Sequence, residues 1–299
     1  NILWPSVVRW YAKSSGTTND KSKFLPVTPE ILKGCHYKGG FDCVAIYLRN
    51  NPESRFFSKK GLILGGSHSP SPLNSEAHQG DLSAVLLQNL NPLVNLIRVP
   101  KKPIILMDEW ESKIKAIVEN TWNKDVNSLS GVPSWMLVLI KAVLKKTGRE
   151  YLTDVWPNLE VFFHGGISFE PYREQYKTLI PSNKMHYMET YNASEGFFGL
   201  QDDPTDSSLL MMPDYGIFYE FIPMNEVGNA HPTVLPLESV ETGKNYAMVI
   251  TTSGGLWRYQ IGDTVRFTSL FPHKFVISGR TKHFINAFGE ELMVDNADK

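Results

Sequence analysis

The sequence predicts an α/β fold that continues into a mostly antiparallel β portion. Up to about residue 204, short apolar runs ending in glycine (GLILGGS at 61–67, LEVFFHGG at 159–166) alternate with helix-like stretches. Beyond about residue 205, LLMMPDYGIFYEFIPM, KNYAMVITTSGGLWRYQIGDTVRFTSL and HKFVISGR are strand-rich, broken by glycine and proline, with no long helical pattern. The expected divisions are residues 1–204 (α/β), 205–279 (β-rich) and 280–299, a joint leading into a further, truncated domain.

Residues 6–13 and KFLPVT read as extended segments on either side of the polar loop SSGTTNDK. Thr28, Pro29 and Glu30 form a helix start of cap, proline and early acid, and that helix runs to about Arg49, with Gly39–Gly40 the place where it would bend. Residues 76–90 and 108–127 read as helices, the second capped by Asp108. Pro133 opens another, SWMLVLIKAVLKK, with Lys145 and Lys146 in its last turn and Gly148 beyond it. PYREQYKTLI reads as a short helix, KMHYMETY as a strand, and FGEELMVDNADK as the beginning of a helix. Both ends read as cut, which predicts a fragment of a longer protein.

Of the 299 residues, 42% are hydrophobic and 20% charged, which excludes a disordered or disulfide-scaffold chain. Thirty basic against 31 acidic residues argue against a nucleic-acid partner held by bulk charge. No apolar run reaches the roughly 18–20 residues that cross a bilayer. Cys35 and Cys43 share one predicted helix, which puts their Cα atoms roughly 12 Å apart, too far for a disulfide. Reduced thiols predict a cytoplasmic protein.

Five motifs carry chemistry. Ser14-Ser15-Gly16-Thr17-Thr18, followed by Lys21 and Lys23, is a hydroxyl-rich glycine loop able to wrap phosphate oxygens, although it is no Walker loop and a Ser/Thr surface turn reads the same way. Gly165, Gly166 and Ile167 follow a strand, where glycine lets backbone approach a flat ligand or simply ends the strand. Tyr191-Asn192-Ala193-Ser194-Glu195 brings together an aromatic ring, a hydroxyl and a carboxylate that could stack a base, bond a phosphate and hold Mg²⁺; a helix start with Tyr191 in the core is the rival. Gly262-Asp263 offers a carboxylate for a ribose diol, or a hairpin turn. Gly279-Arg280-Thr281-Lys282 suggests an interdomain joint.

In this order the motifs resemble the acyl-adenylate-forming superfamily. SSGTT with KSKFLPVT, and YNASEG with FFGLQDD, narrow the likeness to a bacterial member of the Gretchen Hagen (auxin-responsive promoter) family of acyl acid–amido synthetases. The resemblance implies the large N-terminal-type domain of such an enzyme, with a nucleotide- and acyl-binding α/β portion followed by a barrel-like β portion. It implies ATP and Mg²⁺ as cofactors, and a small carboxylic acid and an amine, an amino acid, as substrates. Ser14, Ser15, Gly16, Thr17 and Thr18 would cradle the β- and γ-phosphates, with Ser15, Thr17 and Glu195 in catalytic roles. Gly165, Gly166 and Ile167 would lie beside the adenine, and Tyr191 would stack on it. Asn192 would belong to the nucleotide site, Ser194 would contact the α-phosphate, and Glu195 would hold the metal. Asp263 would take the ribose hydroxyls with Arg280 nearby, and Lys282 would mark the hinge. Trp135 is a candidate wall of the acyl site. Asn19 departs from the superfamily's second glycine, and Asn286 stands where luciferase-like members carry lysine. A non-catalytic nucleotide-binding homologue and an acyl-CoA ligase are the alternatives. With the C-terminal domain almost absent, the chain is expected to bind ATP and turn over poorly.

Overall fold

The computed structural model describes residues 7–14, 23–70, 76–281, 284–287 and 290–293. Two compact units divide the chain: residues 43–190 form one, and residues 1–42 with 191–299 form the other.

The unit of residues 43–190 is built on parallel strands in the order Arg98–Val99, Lys60–Ile63, Val126–Gly131, Val161–Gly165 and the start of His186–Ala193. The strand Lys60–Ile63 is followed in the chain by a neighbour on one side and then by a neighbour on the other. At such a reversal of strand order, open α/β sheets bind ligands beyond the carboxyl ends of the strands. Three strands run into glycine there: Gly65–Gly66, Gly131 and Gly165–Gly166. Gly165 is required by close approach, because a Cβ on it would lie 2.3 Å from the Thr190 carbonyl oxygen. The core gathers Leu62, Leu129, Ile140, Trp156, Phe162 and Tyr176.

Pro133–Thr147 is helical with Gly148 left-handed at φ 64°, as the proline start and glycine stop dictate. Its Trp135 is partly buried against the core, with its ring centroid 5.6 Å from that of Trp110. Two helix expectations are corrected. Residues 78–80 form a strand, and the helix spans only Leu82–Asn89. Gly80 lies so close to the backbone of Ser67 and His68 that a Cβ would sit 2.4 Å from the Ser67 carbonyl oxygen, an approach that belongs to strand pairing. The following helix is Trp110–Thr121, capped by the Glu109 carboxylate on the Glu111 and Ser112 N–H groups rather than by Asp108. Residues 126–131, whose first two positions the 108–127 helix would have taken in, are a central strand. Its polar Asn127 is buried because its amide donates to the carbonyls of Arg55 and Phe56 and to Glu160.

In the other unit, the helix begins at Pro29 with Thr28 Oγ1 accepting from Ile31 N, as expected. It continues through a π-helical stretch, Leu32–Tyr37, into Lys38–Asn50. The irregularity thus falls before Gly39–Gly40, not at it. Gly39 instead admits the Phe197 ring, which an added Cβ would meet at 2.5 Å. The strands Trp10–Ser14 and Lys23–Pro26 pair antiparallel, with Ser14 opposite Lys23. The β portion runs antiparallel in the order Leu235–Pro236, Ile217–Pro223, Asn245–Thr252, Tyr259–Leu270, His273–Arg280, Leu209–Met211 and Gly196–Leu200. Tyr219, Phe221, Tyr246, Phe267 and Phe275 form its aromatic interior. Residues 284–287 pair antiparallel with 290–293, so the helix expected near the C-terminus is a strand hairpin in these positions. Among the described residues no helix is long and apolar enough to cross a membrane.

His164 sits in the strand Val161–Gly165, 3% exposed, with its ring stacked on Phe169 at 4.2 Å. Burial, with Arg173 nearby, pushes its pKa down to about 3. The unfolded chain, with an ordinary histidine pKa near 6.5, therefore binds a proton that the fold refuses between these values. The contribution is complete above about pH 6.5 and is lost as pH falls toward the folded value. Wild type is expected to lose about 2 kcal/mol from this group between pH 7 and pH 5. His164→Phe keeps the stacking and should remove that part of the pH dependence in urea unfolding; an unchanged pH slope contradicts this.

Candidate nucleotide site

The site residues described in the unit of residues 1–42 and 191–299 converge on Asp263. Strand pairing sets Asp263 opposite Arg280, and the Arg280 guanidinium Nε lies 2.9 Å from Asp263 Oδ1. The Tyr191 hydroxyl donates to the other carboxylate oxygen. Asp263 is 7% exposed, so these two partners hold an otherwise costly buried charge. The preceding Gly262 adopts φ 92°, which favours glycine, and its carbonyl accepts from the Thr281 N–H at 2.8 Å. That bond ties Thr281, the residue after Arg280, to the strand residue before Asp263.

Tyr191 is 7% exposed, with its ring 4.8 Å from Phe198 and 6.2 Å from Phe275. Burial and the Asp263 carboxylate raise its pKa well above the ordinary tyrosine range, so the phenol stays a donor. Asn192 and Ser194 are half-buried, and Glu195 is buried in the turn leading to Gly196–Leu200. Burial raises the Glu195 pKa above that of a free carboxylate; Asp263 adds to the rise, while Lys23 and Arg280 oppose it. Lys23 donates to the Tyr259 hydroxyl at 3.0 Å, and its ammonium lies 5.2 Å from that ring's centroid. Tyr259 begins the strand that carries Asp263. The base of the Ser14–Lys23 loop is therefore fastened to the same strand as the acidic centre.

Ser15, Gly16, Thr17, Thr18 and Lys282 lie outside the described residues. Ser14 ends its strand at the mouth of that loop. Gly165 and Gly166 end a parallel strand of the other unit, with Ile167 just beyond, and Trp135 lies on a helix of that unit. The structure brings Tyr191, Glu195, Asp263 and Arg280 into one electrostatic cluster. Sequence reasoning did not assign His36, whose ring nitrogen Nδ1 lies 2.9 Å from Asn192 Oδ1, or the contact of Lys23 with Tyr259. No local spacing signals either pair, because their members stand 156 and 236 positions apart.

The donor set suits a nucleotide. A shielded carboxylate fixed by a phenol and a guanidinium can accept from vicinal hydroxyls, and a second buried carboxylate with Lys23 and Arg280 nearby suits a metal–phosphate group. Mg²⁺ commonly uses one or two carboxylates plus phosphate and water.

The profile of the GH3 family N-terminal domain matches residues 1–185, and that of the GH3 family central domain matches residues 210–280. The indole-3-acetic acid-amido synthetase GH3.4 of Arabidopsis thaliana is 30% identical over 170 residues, covering 53% of this chain and 27% of that protein. The chain thus spans about a quarter of the length of this curated relative. The solved structure of the AtGH3.15 acyl acid amido synthetase in complex with 2,4-DB superposes with a TM-score of 0.74 at 18% identity, over 94% of this chain and 57% of that one. A Vibrio cholerae adenylation domain, AlmE, in complex with glycyl-adenosine-5'-phosphate, superposes at 0.54 with 12% identity, over 99% of this chain and 53% of that one. Both likenesses carry the fold alone.

Tyr191→Phe removes the phenol from a buried carboxylate and should lower stability by about 1–3 kcal/mol in urea unfolding at pH 7. Stability equal to wild type would mean that Asp263 does not depend on this bond.

Proposed function

The chain belongs to the GH3 family, and on that premise we propose that it is the nucleotide- and acyl-binding part of an ATP-dependent acyl acid–amido synthetase. A substrate carboxylate attacks the α-phosphorus of ATP, giving an acyl-adenylate and pyrophosphate. An amine, an amino acid in this reading, then displaces AMP to form the amide. The observation that carries the reading is the clamped Asp263 with Glu195 and two cations in electrostatic range.

In this reading Asp263 accepts the ribose hydroxyls, and Tyr191 and Arg280 keep its two oxygens in place. Tyr191 holds Asp263 through its hydroxyl, and its ring packs on Phe198 and Phe275. Asn192 and Ser194 belong to the phosphate side, and Ser14, Ser15, Gly16, Thr17 and Thr18 would cradle the β- and γ-phosphates. Mg²⁺ bound at Glu195 would neutralise charge growing on the phosphates. Because burial raises the Glu195 pKa, protons compete with the metal as pH falls, and metal affinity weakens toward acid. Lys282 follows the β portion as the hinge toward a further domain. Cys35 and Cys43 are buried and form no disulfide, which supports a cytoplasmic setting.

Glu195→Ala is expected to abolish Mg²⁺-dependent ATP–pyrophosphate exchange by the full-length protein, measured with indole-3-acetic acid and a panel of aryl and fatty acids as probes. Exchange at the wild-type rate would overturn the assignment. Mg-ATP binding without exchange by wild type on any acid would favour a non-catalytic nucleotide-binding homologue.

A further inference from the structure

The helix that begins at Pro29 meets the turn of residues 191–197 at three points. Cys35 Sγ accepts from Phe197 N at 3.1 Å, Gly39 leaves room for the Phe197 ring, and His36 reaches Asn192 at the other end of the turn. Cys35 and His36 both lie in the π-helical stretch Leu32–Tyr37. Such wider turns redirect side chains and recur at functional sites.

We propose that His36 is a positioning residue that sets which end of the Asn192 amide faces the nucleotide; the proposal rests on the nucleotide-site reading above. His36 is 3% exposed, and its Nδ1 lies 2.9 Å from Asn192 Oδ1. The amide oxygen carries no proton, so the ring proton must sit on Nδ1 and be donated to it. This leaves Nε2 as a lone pair, and it has no hydrogen-bond partner among the described residues. Burial holds the His36 pKa down to about 4, so the ring is neutral and its Nδ1 proton is committed to Asn192 near pH 7.

An asparagine amide is nearly symmetrical in shape, and only its partners decide whether oxygen or amino group points outward. With Oδ1 engaged by His36, the amino group is the end left for a ligand. An amino group donates, which suits a phosphate or carboxylate oxygen, whereas an outward oxygen would repel either. Asn192 is half-buried and stands two positions before Ser194 and three before Glu195. Its orientation therefore bears on the same anionic groups.

A double-mutant cycle read by titration calorimetry of Mg-ATP on the full-length protein tests this, with circular dichroism melts confirming that each variant is folded. His36→Leu and Asn192→Ala should each weaken Mg-ATP binding by about tenfold, the effect of one hydrogen bond to a charged group. The double variant should be no weaker than Asn192→Ala alone, and His36→Gln, whose amide can donate to the same oxygen, should recover affinity to within about threefold of wild type. Unchanged affinity in His36→Leu, or losses that multiply in the double variant, would overturn the proposal. Should His36→Leu fail to fold, ring ¹⁵N shifts in wild type decide: protonated Nδ1 supports it, and protonated Nε2 refutes it. Glu195→Ala separates the two levels. If it binds Mg-ATP as tightly as wild type, the nucleotide-site reading falls; if it weakens binding while the His36 and Asn192 losses multiply, only the His36 role falls.

Discussion

A carboxylate at position 263, almost without access to water, is held by a phenol on one oxygen and a guanidinium on the other. Removing either partner would leave a charge that the surrounding protein solvates poorly. Three separate chain segments must therefore be in register before that charge is tolerable. Tyr191 comes from the end of a strand, Asp263 from the start of a long one, and Arg280 from the last position of its antiparallel neighbour. Glycine at 262 and the bond from Thr281 to its carbonyl hold the two neighbouring strands together beside Asp263. Arg280 also tempers Glu195, so one cation serves both acids.

The unit of residues 43–190 solves a different problem. Three of its parallel strands run into glycine at the carboxyl edge, where neighbouring groups approach the backbone closely. Around the first of these ends, Lys113 is buried with its ammonium on the Gly66 carbonyl, and Asp81 accepts from Ser67 N. A Cβ on Gly66 would meet the Asp81 carboxylate at 1.9 Å. The loop is thereby shaped by polar contacts that leave no space for a larger residue.

How much of this was legible in the sequence depended on whether the cause was local. Thr28–Pro29, Pro133 and Gly148 act within one turn of themselves, and the helix ends follow them. The polar strand 126–131 escaped notice because Asn127 finds its partners at residues 55, 56 and 160, which no window around it contains. Residues 78–80 were read as helix because their neighbours are helical, while the close backbone at residues 67–68 decides otherwise. For the candidate site, residue types and order single out Tyr191, Glu195, Asp263 and Arg280 through family resemblance. Their mutual geometry is not legible there: nothing local signals that the Tyr191 hydroxyl donates to Asp263, 72 positions away. His36 had no signal at all, since a histidine inside a helix reads as core until its partner, 156 positions away, is known.

In the proposed function, the shielded Asp263 carboxylate receives the hydroxyls of a ribose. Comparing ATP with 2′,3′-dideoxy-ATP on the full-length protein, in wild type and in Asp263→Ala, tests it without requiring knowledge of the acid or the amine. The account predicts that wild type binds the dideoxy nucleotide about tenfold or more weakly than ATP, and that Asp263→Ala no longer distinguishes the two. Equal affinity of wild type for both nucleotides would contradict it.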